Sequence, residues 1–147
     1  MAASVSTGRG PLQPQVRRLA VAYKILHITE RVKAVIWAGS ARRDVRAFPK
    51  DVRRRAGYEL YRVQQGLDPT DWKPIPSVGA GVREIRIHMD QEHRVIYVAK
   101  FDEGIYVLHA FEKKTRRTRR EDLTTAGKRL RDVVRDRERT KMSGIRR

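Results

Sequence analysis

The stretch Val82–Lys114 holds three apolar-rich runs of strand length, joined by links of a few polar residues. The runs read V-R-E-I-R-I-H-M, H-R-V-I-Y-V-A-K and I-Y-V-L-H-A-F-E-K-K, with D-Q-E and F-D-E-G between them. Links this short join neighbouring strands as tight hairpins, so the stretch predicts an antiparallel meander. Alternation then assigns faces. Ile85, Ile87 and Met89 share one face of the first run, and Glu84, Arg86 and His88 the other. In the second run Val95, Tyr97 and Ala99 alternate with Arg94, Ile96, Val98 and Lys100. In the third, Ile105, Val107, His109 and Phe111 alternate with Tyr106, Leu108 and Ala110. The later runs are apolar on both faces, so the sheet is expected to be covered on one side and partly on the other. Arg83, Arg86, Arg94 and Lys100 lie in or beside these runs, and Lys113 and Lys114 end the last. Covered sheet positions exclude Lys and Arg unless something pairs with them. A polyanion lying across an uncovered part of one face is such a partner.

Charge points the same way. The 147 residues carry a formal net charge of +17, enough to draw the chain toward nucleic acid, ribosome or anionic membrane. Residues 111–147 hold fifteen Lys and Arg against six acids, about half of the excess. The length suits one domain with a real core. There is no cysteine, which excludes disulfides and thiolate metal sites and fits a reducing cytoplasm. No apolar run approaches the ~18 residues of a membrane span, so no membrane partner is expected. The run Leu19–Ala22 is broken by Lys24 and is too short for a secretory signal.

Along the chain, residues 1–30 read as an extension: a small, polar tail and then a short amphipathic helix over Gln15–Ile28. A domain is expected over residues 31–137, followed by a charged, fraying tail over 138–147. Lys33–Ala38 reads as a buried first strand. Ser40 reads as the N-cap of a short helix with Ala41, Val45 and Phe48 on one side. Pro49 suits the first turn of a second helix, with Val52, Ala56, Leu60 and Val63 as its stripe and Gly66 at its C′ position. The two helices are expected to form a hairpin on the sheet, with Arg53-Arg54-Arg55 on its solvated face rather than on RNA. Residues 66–81 read as a long loop pinned to the core by Trp72. Gly79-Ala-Gly81 is a weak phosphate-cradle pattern, because a strand follows it. Thr118-Arg-Arg-Glu121 has capping-box spacing and predicts a last helix with Leu123, Ala126, Leu130 and Val133 facing inward.

The chemistry open to these residues is narrow. The four histidines, at 27, 88, 93 and 109, have no metal-ligand spacing, and no serine lies in a nucleophile elbow. No cofactor or metal is expected. Metal-free RNA cleavage needs different parts: a group that takes a proton from the 2′-OH and cations that stabilise the phosphorane. Arg86, Arg94, Lys113, Lys114, His109 and Tyr97 supply side chains of those kinds. A crowd of cations also lowers a lysine's pKa toward the range in which it can act as a base.

The order V-R-E-I-R, H-R-V-I-Y, V-L-H-A-F-E-K-K-T and then a helix with Ala126 resembles the HigB-like, phage-derived branch of the RelE toxin superfamily. The upstream Y-E-L-Y-R-V-Q-Q-G-L and W-K-P-I pieces fit it too, so the likeness covers roughly residues 33–135. The resemblance implies an α+β fold: a small, twisted, mainly antiparallel sheet, an N-terminal helical hairpin and a C-terminal helix. It implies a toxin of a type II toxin–antitoxin system, a cytoplasmic, ribosome-dependent endoribonuclease that cuts mRNA and inhibits translation. Its implied partners are mRNA, the ribosome with its rRNA, and an antitoxin of helix-turn-helix type. By motif position the resemblance gives Arg86 phosphate binding, matches Arg94 to the arginine of the family's Y-R-V-x-Y pattern, and matches Lys113 and Lys114 to the lysines of its F-x-K-K pattern. Arg86, Arg94, Lys113, Lys114 and His109 are therefore the catalytic candidates. Arg83, Tyr97, Lys100, Phe111, Arg116, Arg117, Arg119 and Arg120 are the substrate-binding candidates. This chain departs from the pattern in having His93 before Arg94, and about thirty residues ahead of the first strand.

Plainer readings stand beside these. Arg86 has Glu84 or Glu59 as a candidate ion-pair partner, and His109 and Tyr97 sit in apolar runs where core roles are common. A non-catalytic, basic RNA- or ribosome-binding protein on the same fold is the alternative function. A DNA-binding regulator is disfavoured, since no helix-turn-helix pattern appears and the cations lie on strands and a strand-end loop.

Overall fold

The computed structural model describes residues 32–145. The extension over residues 1–30, with its expected helix over Gln15–Ile28, lies outside the described residues. The elements run β1 (Ala34–Trp37), α1 (Ala41–Arg46), α2 (Lys50–Gln64), β2 (Trp72–Pro74), β3 (Val82–Met89), β4 (Gln91–Val98), β5 (Gly104–Lys113) and α3 (Arg120–Ile145). The meander β3–β4–β5 forms the centre of a five-stranded sheet of order β1-β5-β4-β3-β2. Its pairings are antiparallel, as are those of β2 with β3, while β1 runs parallel to β5. The fold is therefore α+β with a mixed sheet, and it is consistent with the RelE-like architecture. The β3–β4 turn is centred on Asp90, whose φ of 52° lies in the left-handed region that aspartate tolerates better than most side chains.

Helices cover both faces. On one, α1 and α2 bring Ala41, Val45, Val52, Ala56, Leu60 and Val63 onto Ile85, Ile87, Val95, Tyr97, Ile105 and Val107. On the other, α3 brings Ala126, Leu130 and Val133 onto Val82, Ile96, Val98 and Leu108. The helix stripes are those that 3.6-residue periodicity predicts, and each large aliphatic buried this way stabilises the fold by about 1.5–3 kcal/mol.

Several local expectations need correction. β1 is an edge strand and only half buried, because β5 pairs with one of its edges alone. Residues 72–74, read as loop, form β2. Trp72 is half buried beneath the Arg83 guanidinium, 4.0 Å from its ring centroid, and does not enter either core cluster. Ser40 does not cap with its side chain. Its hydroxyl donates to Asp44 at 2.7 Å and accepts from Arg129 at 2.8 Å. Gly79 has a packing role, since a side chain there would meet Leu130 of α3. The tail expected to fray from residue 138 is instead helical as far as Ile145. Arg, Glu, Lys and Met are strong helix formers, and pairs such as Arg135 with Asp132 add support without any core.

The face assignment of β5 also changes. Ile96 pairs with His109 but Tyr97 pairs with Val107, so Leu108 is an extra residue, a β-bulge. Ile105 and Val107 face the helical hairpin, as the alternation predicts. Past the bulge the parity flips: Ala110 joins them, and Phe111 turns to the α3 side.

Two glycines test the packing. At Gly104 a Cβ would lie 2.6 Å from the carbonyl oxygen of Ala34 on β1, whereas at Gly57, inside α2, it would meet nothing within 4 Å. Gly104→Ala is expected to destabilise by about 1–3 kcal/mol, as overpacking does, and Gly57→Ala to stabilise by about 0.5–1 kcal/mol. Urea midpoints of the two variants check this.

Candidate functional site

The registers arrange the polar residues of the α3-side face in three cross-strand rows. Lys73, Glu84, Ile96 and His109 form the first. Arg86, Arg94 and Phe111 form the second. His88, Glu92 and Lys113 form the third. Neighbours within a row lie about 5 Å apart and rows about 7 Å apart. Phe111 and Leu123 pack at the margin of the core under α3. Beyond them the sheet is not covered by that core, and there the cations gather.

Glu84 anchors the group. It is 0% exposed, in the middle of a strand whose neighbours in sequence are apolar or basic. Arg94 Nε lies 3.3 Å from its carboxylate and Lys73 Nζ 3.8 Å. The Thr118 hydroxyl donates to its other oxygen at 3.4 Å. Thr118 thus ties the basic 114–119 loop back to the sheet instead of serving the expected capping box. Arg94 is only 2% exposed, and it also donates to the His93 carbonyl at 3.0 Å and to Glu92 at 3.4 Å. Burying two charges is tolerable only when they are paired, and here the ion pair offsets them although Arg94 Nε and one Glu84 oxygen make no hydrogen bond among the described residues.

Arg86 is arranged differently. The ion pair with Glu84 or Glu59 does not form: Glu84 holds Arg94, and Glu59 holds Arg55 at 2.9 Å. Arg86 faces Asp71 at a loose 3.9 Å, and its buried Nε has no hydrogen-bond partner among the described residues. Lys113 is half buried. Desolvation first, then the charges of Arg94, Lys73 and Arg86, hold its ammonium below the ordinary lysine value against the opposing pull of Glu84. His88 bridges two acids, with Nε2 2.5 Å from Asp71 and Nδ1 2.7 Å from Glu92. These bonds, Asp71's first, raise its pKa above the ordinary 6.5.

Arg86, Arg94, Phe111, Lys113 and His109 therefore share one face. His109 is fixed there: Asp122 of α3 takes its Nε2 at 2.8 Å, and its ring stacks on Phe111 with centroids 5.2 Å apart. Lys114, Arg116, Arg117, Arg119 and Arg120 are exposed around the adjoining loop and the first residue of α3. Three candidates stand elsewhere. Tyr97 points into the core beneath the helical hairpin, where burial raises its pKa. Arg83 lies on that same side, bonded to Asp68 at 2.8 Å and stacked on Trp72. Lys100 follows the far end of β4, six residues or about 20 Å along from Arg94. Sequence reasoning did not single out Glu84, Lys73, Asp71 or Glu92 as site residues. A carboxylate inside an apolar strand was a usable signal for Glu84; Lys73 gave none, because its place depends on the unforeseen β2.

A small α+β fold with a five-stranded mixed sheet and a cation cluster on its open face defines the class. The family described as phage derived protein Gp49-like matches residues 43–131, more than half of the 147 residues, and the chain belongs to it. That family is toxin-like, of the RelE/HigB type, and implies a cognate antitoxin. A search of curated proteins gives no match. Among the described residues, no helix is long and apolar enough to cross a membrane.

Two measurements test the electrostatics. Arg94→Ala leaves Glu84 buried with only the looser Lys73 and Thr118 contacts and is expected to cost about 3–5 kcal/mol, whereas a Glu84→Met/Arg94→Met double variant recovers most of that. A thermodynamic cycle from denaturant melts gives the coupling. His88 is expected to titrate above 6.5 by NMR and to fall toward it in Asp71→Asn. Because the folded value is the higher one, its contribution to stability is present below the unfolded pKa and is lost as pH rises through the folded pKa.

Proposed function

We propose that this protein is the toxin of a type II toxin–antitoxin pair, of the HigB-like branch, and that it cuts mRNA on the ribosome. The observation that carries this reading is the Arg86–Arg94 pair, directly opposite each other on adjacent strands. Like charges so placed destabilise a sheet. The acids nearby offset Arg94 more fully than Arg86, and a phosphate lying over the pair completes the balance.

In this reading Arg86 binds the scissile phosphate through its unpartnered edge. Arg94, held from below by Glu84, contributes field rather than direct contact. Lys113, with its lowered pKa, takes the proton from the 2′-OH. The 2′-oxygen attacks phosphorus, the P–O5′ bond breaks, and the 5′-oxygen takes a proton from solvent. The products are a 2′,3′-cyclic phosphate and a 5′-hydroxyl. DNA lacks the attacking group and is not a substrate. Phe111, set by His109 and Asp122, offers a stacking surface to a base. Lys114, Arg116, Arg117, Arg119 and Arg120 hold mRNA or rRNA backbone, with steep salt dependence. The antitoxin, a helix-turn-helix protein in this proposal, blocks this face. The site of action is the cytoplasm, where the ribosomes are.

Induced expression is expected to stop growth and translation. Arg86→Ala and Lys113→Met are each expected to slow mRNA cleavage about 10²–10³-fold, the usual loss on removing a charge-stabilising or proton-moving group. Sequencing of cut mRNA ends is expected to show cyclic phosphates. Equal inhibition by wild type and an Arg86/Lys113 double variant, or 5′-phosphate ends, would sink the proposal. Ribosome binding without any cleavage would favour the non-catalytic RNA-binding reading.

A further inference from the structure

A groove of about 620 Å³ lies between α2 and the outer part of β3. Arg86, a member of the cation cluster described above, is among the residues that line it. β2 pairs only with Arg83, Glu84 and Ile85, which leaves the outer edge of β3 without a strand partner beyond Arg86. The groove passes that edge and is bounded on its α2 side by Arg54, Arg55 and Tyr58. Tyr58 is 49% exposed, an unusual degree for a large aromatic, and the Arg55 guanidinium stands 5.1 Å from its ring centroid. Glu59 holds Arg55 in that position at 2.9 Å. Asp51 and Asp71 also line the groove, and His88 engages Asp71.

An exposed ring beside arginines, in a groove that shares Arg86 with the cation cluster, is the arrangement that takes single-stranded nucleic acid: bases stack on the aromatic and phosphates follow the cations. We propose that this groove is a nucleotide subsite. A single RNA strand with one phosphate at Arg86 continues over the free edge of β3, lays a flanking base on Tyr58, and sets the next phosphate against Arg54. The subsite rests on the RNA-cleaving reading above and adds to it a place for a nucleotide outside the scissile step. It also gives Arg54 and Arg55, read from sequence as a solvated face, a ligand.

The test uses the full chain and a 2′-O-methyl RNA heptamer, which binds without being cut, carrying 5-iodouridine at one flanking position. Photocross-linking is expected to mark Tyr58. Tyr58→Ala is expected to weaken heptamer binding about tenfold by fluorescence anisotropy, while Tyr58→Phe keeps it, as stacking predicts. Tyr61→Ala is the control: Tyr61 is 45% exposed but does not line the groove, and its loss is expected to change nothing. If Arg86→Ala and Lys113→Met leave affinity unchanged, the cation cluster does not bind RNA, and both readings fall. If those variants weaken binding but Tyr58→Ala does not, or the cross-link maps elsewhere, the subsite alone is wrong. If Tyr58→Ala impairs binding to ribosomes yet leaves heptamer affinity intact, the surface serves rRNA and the subsite is again overturned.

Discussion

The open face depends on one buried carboxylate. Glu84 sits at the middle of the sheet with no exposure, and it is the reason Arg94 can be buried at all. A guanidinium in that position without a partner would carry a desolvation penalty that packing cannot offset. Paired with Glu84, Arg94 contributes to the field that lowers the Lys113 pKa. Lys73 and Thr118 reach the same carboxylate from β2 and from the basic loop. Three chain segments, β2, β4 and the basic loop, are thus tied to one side chain of β3, so the geometry of the cation cluster and the placement of the loop are coupled.

The second constraint is the bulge at Leu108. A regular β5 would send His109 and Phe111 to the helical hairpin with Ile105 and Val107. One extra residue turns both toward the α3 side, where Asp122 and Arg94 meet them. Bulges recur where a strand must re-aim a side chain, and here the whole outer half of β5 is re-aimed. The same device lets the inner half remain core on the hairpin side, so one strand serves packing at its start and the polar face at its end.

Much of the fold was legible because its signals are local. Period-two alternation marked β3 and β4, with the correct faces for Ile85, Ile87, Val95 and Tyr97. Period-3.6 stripes marked α1, α2 and α3, and Gly66 ends α2 with the positive φ its position requires. What escaped was non-local. β2 is three residues long and exists only through its partner β3. The parallel edge pairing of β1, the roles of Ser40 and Thr118 as ion-network members, and the bulge all depend on what lies opposite. Within the site, Arg86, Arg94, Phe111 and Lys113 share a face, but Tyr97 and Arg83 lie across the sheet and Lys100 beyond its far end.

By itself the sequence determined the three helices and every strand but β2, the excess of positive charge, and the basic run after β5, since each is fixed by residue type and spacing along the chain. Tertiary structure alone decided which cations meet. Cross-strand register set Arg86 against Arg94, burial chose Arg94 rather than Arg86 as the partner of Glu84, and packing of α2 beside β3 put Arg86 and Tyr58 on one groove. Charges act through space and solvent exposure, and neither quantity can be read from order along a chain.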